Sequence, residues 1–402
     1  MANVSSSNGI EKFPELRFPN FSGPWKCVRI GDIYAERSER GAEGAELLSV
    51  TMTEGVKRRS DIEGKDNSSE DKGNYKVVCA GDMVYNSMRM WQGANGISPY
   101  NGIVSPAYTV LTPREKISNG FFAALFKTHV MISEFYRHSQ GMTSDTWNLK
   151  YPQIETIKTY IPPYDEQNKI SNFLELLNHK IDYQRRIVEL LKKYKRGAIN
   201  NIFNGHMLSS EEKETARECL LSEVASFHQG LTYTPGDVAD SGCLVLRSSN
   251  IQNGRLAFKD NVFVNCAVSQ TIAVKENDIL MCVRNGSKHL VGKTAIIDQA
   301  YENMTWGAFM MVIRSKLSNS FVYHYLNSDS FYNQVFRDSG TATINQITKG
   351  TLNECKLILP SKEVQNKICG YLNLLESRLQ KEEDILEELS LLKGSLLQQL
   401  FI

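Results

Sequence analysis

Residues 161–203 read IPPYDEQNKISNFLELLNHKIDYQRRIVELLKKYKRGAINNIF, and residues 359–401 read LPSKEVQNKICGYLNLLESRLQKEEDILEELSLLKGSLLQQLF. The two stretches align without a gap at an offset of 198, and 13 of the 42 pairs from Pro162/Pro360 to Phe203/Phe401 are identical. Gln-Asn-Lys-Ile recurs unbroken, at 167–170 and at 365–368. A repeat at half the chain length signals a duplicated protein, so the remaining segments are read in pairs.

Each copy has the pattern of a long helix with a coiled-coil seam. In the first, Ile170, Leu174, Leu177, Ile181, Gln184, Val188, Leu191, Lys195, Ala198 and Ile202 step by alternating fours and threes. In the second, Ile368, Leu372, Leu375, Leu379, Glu382, Leu386, Leu389, Lys393, Leu396 and Leu400 do the same. That 3.5-residue period keeps two helices in contact, and Gln184 and Glu382 are polar breaks suited to fixing register. Each copy starts after proline with an acidic first turn, as helix starts do.

The flanking faces differ in sign. Residues 178–196 hold seven Lys/Arg against two Asp/Glu, whereas 376–394 hold three against six. Flanking charge sets partner choice, so the two helices are expected to pair with each other. Antiparallel pairing gives a pseudo-twofold repeat, with two globular halves inverted on a rod. Thirty-nine helical residues from position 165 span roughly 58 Å.

A chain of 402 residues exceeds one ordinary domain, and 41% hydrophobic with 23% charged residues fits a globular protein. No apolar run approaches the length of a membrane span. The start, MANVSSSNGIEKFPELRF, lacks a basic region followed by an apolar core, so no secretory signal is expected. Eight cysteines show no CxxC spacing, which suits reduced thiols in a cytoplasm. A net charge of +1 does not announce a nucleic-acid binder, although local patches decide phosphate affinity.

The pairing of segments continues outside the helices. Residues 1–24 form a polar tail and lead-in, 25–160 a first globular domain, 161–205 the central helix, 206–358 a second globular domain and 359–402 the last helix. WKCVRIGDIYAERSE is ambiguous between strand and helix, and ELLSVTMTEGV reads as a strand reaching a turn at Glu54-Gly55. Residues 57–74 read as a long exposed loop. YKVVCAGDMVYNSMRM gives two short strands, GIVSPAYTVL one, and FFAALFKTHVMISEFYRHS one helix. In the second half GCLVLRSSNIQNGRL, KENDILMCVRNG, MTWGAFMMVI and SFVYHYLNSDSFYNQVF follow in the same order. Asp278 matches Asp82, Ala308 matches Ala107, and Ser339-Gly340-Thr341 matches Ser139-Gln140-Gly141.

Catalytic motifs fail on their chemistry. Ile161-Pro162-Pro163-Tyr164 resembles the loop of amino-methyltransferases, but Ile161 cannot accept the hydrogen bond that loop requires. Asp61, Glu63 and Lys65 lie in a polar loop with a spacing unlike a Mg²⁺-holding nuclease site. Gly292-Lys293-Thr294 lacks the preceding glycine of a phosphate loop. The seven histidines are isolated, so no metal site is readable.

What remains is recognition chemistry. Arg58, Arg59 and Lys65 share one loop, and Arg89, Trp91, Gln92 and Asn95 follow a strand. In the second half Arg247, Ser248, Asn250, Arg255, Arg284, Asn285, Lys288, His289 and Lys293 occupy comparable strand ends. Arg, Lys, Asn and Gln are the side chains that read base edges and neutralise phosphate. The set is therefore a candidate DNA-binding surface. A coiled-coil scaffold that binds only proteins is the alternative.

The order globular half, long helix, globular half, long helix, with the helix starts IPP-x₃-Q-x-K-I and LP-x₄-Q-x-K-I, resembles the specificity subunits of type I restriction–modification enzymes. The lead-in FPELRFPNFSGPWKCVRIGDI and the VLRSSNIQNGRL and IVSPAYTVL segments share in the resemblance, which covers essentially the whole chain. It implies an α+β fold of two mixed α/β target-recognition domains joined by two long antiparallel coiled-coil helices. It implies a non-catalytic, cytoplasmic subunit in which each domain reads one half of a bipartite site in double-stranded DNA. The helices would set the spacing and dock two methylation subunits, with restriction subunits joining to cleave. This chain would bind no cofactor, with S-adenosylmethionine, ATP and Mg on the partners.

Overall fold

The computed structural model describes residues 11–402 except 42–43, 53, 67, 144–145, 267, 270–271, 300–302 and 337–345. Ser339-Gly340-Thr341 lies outside the described residues. The chain divides into two compact units, one taking the chain up to Arg185 together with Asp384–Ile402, the other Arg186–Glu383.

In the first unit the strands Lys26–Arg29 and Lys158–Ile161 pair antiparallel, so the segment between them begins and ends at one place. Inside it runs a four-stranded antiparallel sheet in the order Tyr34–Glu36, Tyr108–Pro113, Met83–Asn86, Asn95–Ile97. The second unit repeats both features. Arg217–Leu220 pairs with Lys356–Leu359, and its sheet orders Ala225–Gln229, Met310–Ser315, Ile279–Cys282, Thr294–Ile296. The duplication read from two helices therefore extends to sheet topology.

A turn shared by both sheets shows how weak sequence similarity hides a common device. Asp82 Oδ2 accepts from the Cys79 amide at 2.8 Å, and Asp278 Oδ2 accepts from the Lys275 amide at 2.9 Å. The residue before each aspartate, Gly81 or Asn277, adopts positive φ, which these two residue types tolerate. Each aspartate is nearly buried and receives a two-pronged arginine, Arg37 at 2.9 and 3.2 Å or Arg314 at 2.8 and 3.0 Å. The arginines come from different strands of the pair.

Three expectations change. The apolar run after the sheet is two helices in each unit, Asn119–Leu125 with His129–His138 and Asn319–Leu326 with Asp329–Phe336. Thr128 Oγ accepts from the Met131 amide and Ser328 Oγ from the Phe331 amide, so a capping hydroxyl starts a new helix where periodicity alone continued the old one. GIVSPAYTVL is two strands, Gly102–Val104 and Tyr108–Pro113, separated by a turn in which the Tyr108 amide donates to the Ser105 carbonyl. Lys57 and Arg58 belong to the strand Gly55–Arg58, so the exposed loop starts after them. The ambiguous segment at Trp25 resolves into a strand, one helical turn and a strand.

The two long helices are Tyr164–Phe203 and Lys362–Gln399. The recurrent glutamine explains itself at their starts. Gln167 Nε2 donates to the Pro162 carbonyl at 2.9 Å and Gln365 Nε2 to the Pro360 carbonyl at 2.8 Å, both buried. In the first unit Arg17 adds a two-pronged ion pair to Glu166, which is fully buried, at 2.8 and 2.7 Å.

Within each unit the helices run antiparallel. In the first, Ile170 and Leu174 share a core with Leu396, Leu397 and Leu400. In the second, Lys192 pairs with Glu383 at 2.6 Å, Tyr194 meets Tyr371 at 2.9 Å, and Lys195 pairs with Glu376. The basic face of one helix thus meets the acidic face of the other, while Arg185 pairs within its own helix with Asp182. Along the first helix Ile170, Leu174, Leu177, Ile181, Gln184 and Val188 are buried and Leu191 half-buried. Along the second, Leu372 and Leu379 are buried, and Ile368, Leu375, Glu382, Leu386 and Leu389 half-buried. Among the described residues no helix is long and apolar enough to cross a membrane.

The last residues of each helix enter an aromatic core. Phe401 lies 6.4 Å from Trp25 and 5.1 Å from Phe121 in the first unit. Phe203 lies 5.3 Å from Phe321 and 5.7 Å from Tyr325 in the second. Phe401→Ala is expected to cost about 3–5 kcal/mol, the range for a buried phenylalanine that leaves a cavity, read as a lowered urea midpoint.

A second prediction concerns pH. His324 is 1% exposed, with Nε2 3.0 Å from Asn373 Oδ1, and burial pushes its imidazole down to about 4. The unfolded ring takes its proton near pH 6.5, so the unfolded state binds more protons between the two values and stability falls as pH drops through that window. The loss approaches about 3 kcal/mol near pH 4. Urea denaturation followed from neutral pH downward should show that slope, and His324→Gln should flatten it.

Candidate nucleic-acid interface

The exits of the third sheet strand bring the recognition residues to equivalent places. In the first unit Met83–Asn86 pairs with Tyr108–Pro113 so that Asn86 faces Tyr108. In the second, Ile279–Cys282 pairs with Met310–Ser315 so that Cys282 faces Met310. The next amide, Ser87 or Val283, donates to the carbonyl of Ala107 or Phe309 at 3.0 Å in both units. By this register Phe309, not Ala308, stands opposite Ala107, and the segment 88–92 corresponds to 284–288. A one-residue slip moves a large exposed aromatic into the position that alignment had given to alanine.

Arg89 is exposed here and reaches Gln92 Oε1 at 3.5 Å. Trp91 is held: its indole donates to the Met88 carbonyl at 3.0 Å and its ring meets Trp147 at 5.1 Å. Asn95 is fully buried with Nδ2 on the Gly93 carbonyl, so it is an interior residue rather than a base reader. Arg58 is exposed with its guanidinium 4.7 Å from the Tyr100 ring, and Lys65 is exposed. Arg59 instead donates to the carbonyls of Ile62, Gly64 and Lys65 at 2.8, 3.0 and 2.7 Å. It staples its loop, and its donors are already used.

In the second unit Asn250 is likewise interior. It is fully buried, its Oδ1 accepts from the Arg247 amide at 2.9 Å and its Nδ2 donates to the Ala257 carbonyl at 2.9 Å. Arg247 pairs with Asp260 at 2.9 Å. Asn285 Nδ2 donates to Ser248 Oγ at 3.1 Å, joining two candidate segments that are 37 residues apart. Arg284 is exposed and its guanidinium lies 5.1 Å from the Phe309 ring. Lys288 and His289 are exposed on the short helical turn Lys288–Leu290, and Lys293 is half-buried beyond it. Arg255 is exposed away from this group, lining a cavity of about 450 Å³ with Tyr323, His324 and Glu376. Phe309 was not among the sequence candidates, since a phenylalanine in an apolar strand pattern reads as core. Among the described residues no cluster of His, Cys, Asp or Glu could hold a metal ion.

A twice-built frame thus offers arginine, lysine and amide side chains at matching strand ends. Residues 219–391 match the family described as "Type I restriction modification DNA specificity domain". The chain is 27% identical over 176 residues to the type I restriction enzyme StySPI specificity subunit of Salmonella potsdam, a stretch covering 42% of this chain and only 38% of that protein. It is 22% identical over 405 residues to the MjaVIII specificity subunit of Methanocaldococcus jannaschii, covering 93% of this chain and 92% of that one. Its fold is similar to a crystal structure of the type I restriction–modification S subunit from M. genitalium, with TM-score 0.58, 16% identity, and coverage of 97% and 99%. The similarity to type I specificity subunits covers residues 219–391 by the family description and 93% of the chain by one relative.

Proposed function

We propose that this chain is the sequence-reading, non-catalytic subunit of a cytoplasmic type I restriction–modification complex. Each unit reads one half of a bipartite site in double-stranded DNA. The paired helices set the untouched gap and dock two methylation subunits. S-adenosylmethionine, ATP and Mg reside on the methylation and restriction partners. The observation that carries this reading is the equivalence of segments 88–92 and 284–288, which places Arg89 with Gln92 and Arg284 with Asn285 and Lys288 at one strand exit in each unit. A scaffold that binds only proteins has no need for guanidinium and amide groups at that spot twice over.

The mechanism follows from division of labour. Arginine and lysine on the rims neutralise phosphate and fix register on the duplex, while a few side chains per unit reach base edges. Helix length then limits how far apart two half-sites lie, because a helix rises 1.5 Å per residue.

Two expected outcomes test the reading, both by mapping methylated adenines in cells that carry the chain with its methylation subunit. Replacing residues 26–161, which the strand pair Lys26–Arg29 and Lys158–Ile161 closes at both ends, with the counterpart from another family member should change one half of the methylated motif. A change in both halves would refute independent reading. Adding one heptad at matched points of both helices should lengthen the gap by about three base pairs, since seven residues add roughly 10 Å against 3.4 Å per base pair. An unchanged gap would show that something other than the helices sets it.

A further inference from the structure

In the unit made of Arg186–Glu383 a cleft of about 740 Å³ is lined by Tyr233, Arg247, Ser249, Arg284, Asn285 and Phe309 among others. Phe309 is 58% exposed, an unusual position for a phenylalanine that has a hydrophobic sheet directly beside it. Its backbone is pinned, because the amides of Val283 and Arg284 both donate to its carbonyl, at 3.0 and 3.2 Å. The Arg284 guanidinium rests 5.1 Å from the Phe309 ring and forms no ion pair among the described residues. The neighbouring groups are committed: Arg247 to Asp260, Asn285 to Ser248. Two further polar atoms on the cleft wall, Arg247 Nε and Ser249 Oγ, are buried without a hydrogen-bond partner. Buried donors left unmade are costly.

We infer that Arg284, braced on Phe309, is the specificity-determining side chain of this unit and reads a guanine in duplex DNA, with Phe309 against the adjoining base. The inference rests on the DNA-reading function proposed above. A guanidinium presents a planar fork matched to guanine O6 and N7. Stacking on a ring holds that plane in place and limits the rotamer freedom that an exposed arginine would otherwise lose on binding. The charge suits a polyanion, and an exposed ring in the groove can make apolar contact with a neighbouring thymine methyl. The equivalent positions of the other unit are Met88 and Ala107, so the two units cannot read their halves by the same contact.

The test maps the methylated motif in cells carrying the full chain, or its variants, with the methylation subunit. Arg284→Gln should relax one base position in one half-motif, lowering discrimination there by roughly 5- to 150-fold, the worth of a good bidentate pair. The other half stays as it was. Phe309→Ala should weaken the same position. A wild-type motif from Arg284→Gln overturns the assignment. Should that variant silence methylation altogether, Arg284→Lys decides, since it keeps the charge without the fork. Relaxation at the same position supports the assignment, and the wild-type motif overturns it. If the unaltered chain directs no bipartite motif at all, the proposed function fails, and that result is distinct from failure of the Arg284 assignment.

Discussion

The structure depends on where the two long helices end. Phe203 closes an aromatic core with Phe321 and Tyr325, and Phe401 closes another with Trp25 and Phe121. Neither core is completed by residues from its own stretch of chain alone: Leu400 and Phe401 come from the last helix into the first unit, and Ile199, Ile202 and Phe203 come from the central helix into the second. Burial of a large aromatic contributes several kcal/mol and a domain is stable by only about 5–15. Loss of either helix end therefore removes a sizeable share of one unit's stability. This constraint explains why the similarity between the copies stays high along the helices and runs unbroken to the phenylalanine.

The parts legible in the sequence are those governed by a period or by a local hydrogen-bond demand. A 3.5-residue seam needs an apolar or tolerated residue every turn, so Ile170 to Leu191 and Ile368 to Leu389 stand out without any fold in hand. Gln167 and Gln365 stand out because each satisfies the proline carbonyl at a helix start. The broken helices were hidden because Thr128 and Ser328 sit within an apolar pattern that continues across them, and a hydroxyl cap is a tertiary decision as much as a local one. The candidate surface was legible only by composition. Arg59, Asn95 and Asn250 carry the chemistry of base readers, yet each gives donors to nearby backbone carbonyls. A side chain that can read a base can equally hold a turn, and only geometry separates these uses.

The two aspartate turns show how the copies diverged while their sheets kept one topology. The buried carboxylate stays at Asp82 and Asp278, but its arginine sits at Arg37 in one unit and Arg314 in the other. In the register of the first sheet Ala35 faces Thr112, and in the second Ser226 faces Arg314, so position 37 corresponds to His228. The charge has moved across the strand pair. A buried carboxylate without its partner is strongly destabilising, whereas the direction from which the partner arrives matters little. Position-by-position similarity was therefore free to decay while the interaction persisted.

The near-neutral balance of the chain sets how strongly charge alone would draw a polyanion to it. Part of its basic charge is spent internally, Lys192 and Lys195 on the acidic helix face, Arg37 and Arg314 on buried aspartates, Arg17 on Glu166. Nonspecific affinity scales with the number of phosphates neutralised, and a cation already held on a carboxylate adds little to that number. With 46 Lys and Arg set against 45 Asp and Glu, the chain as a whole offers a polyanion little net attraction. Under the function proposed above, discrimination would therefore rest on a few placed side chains such as Arg284 rather than on bulk charge.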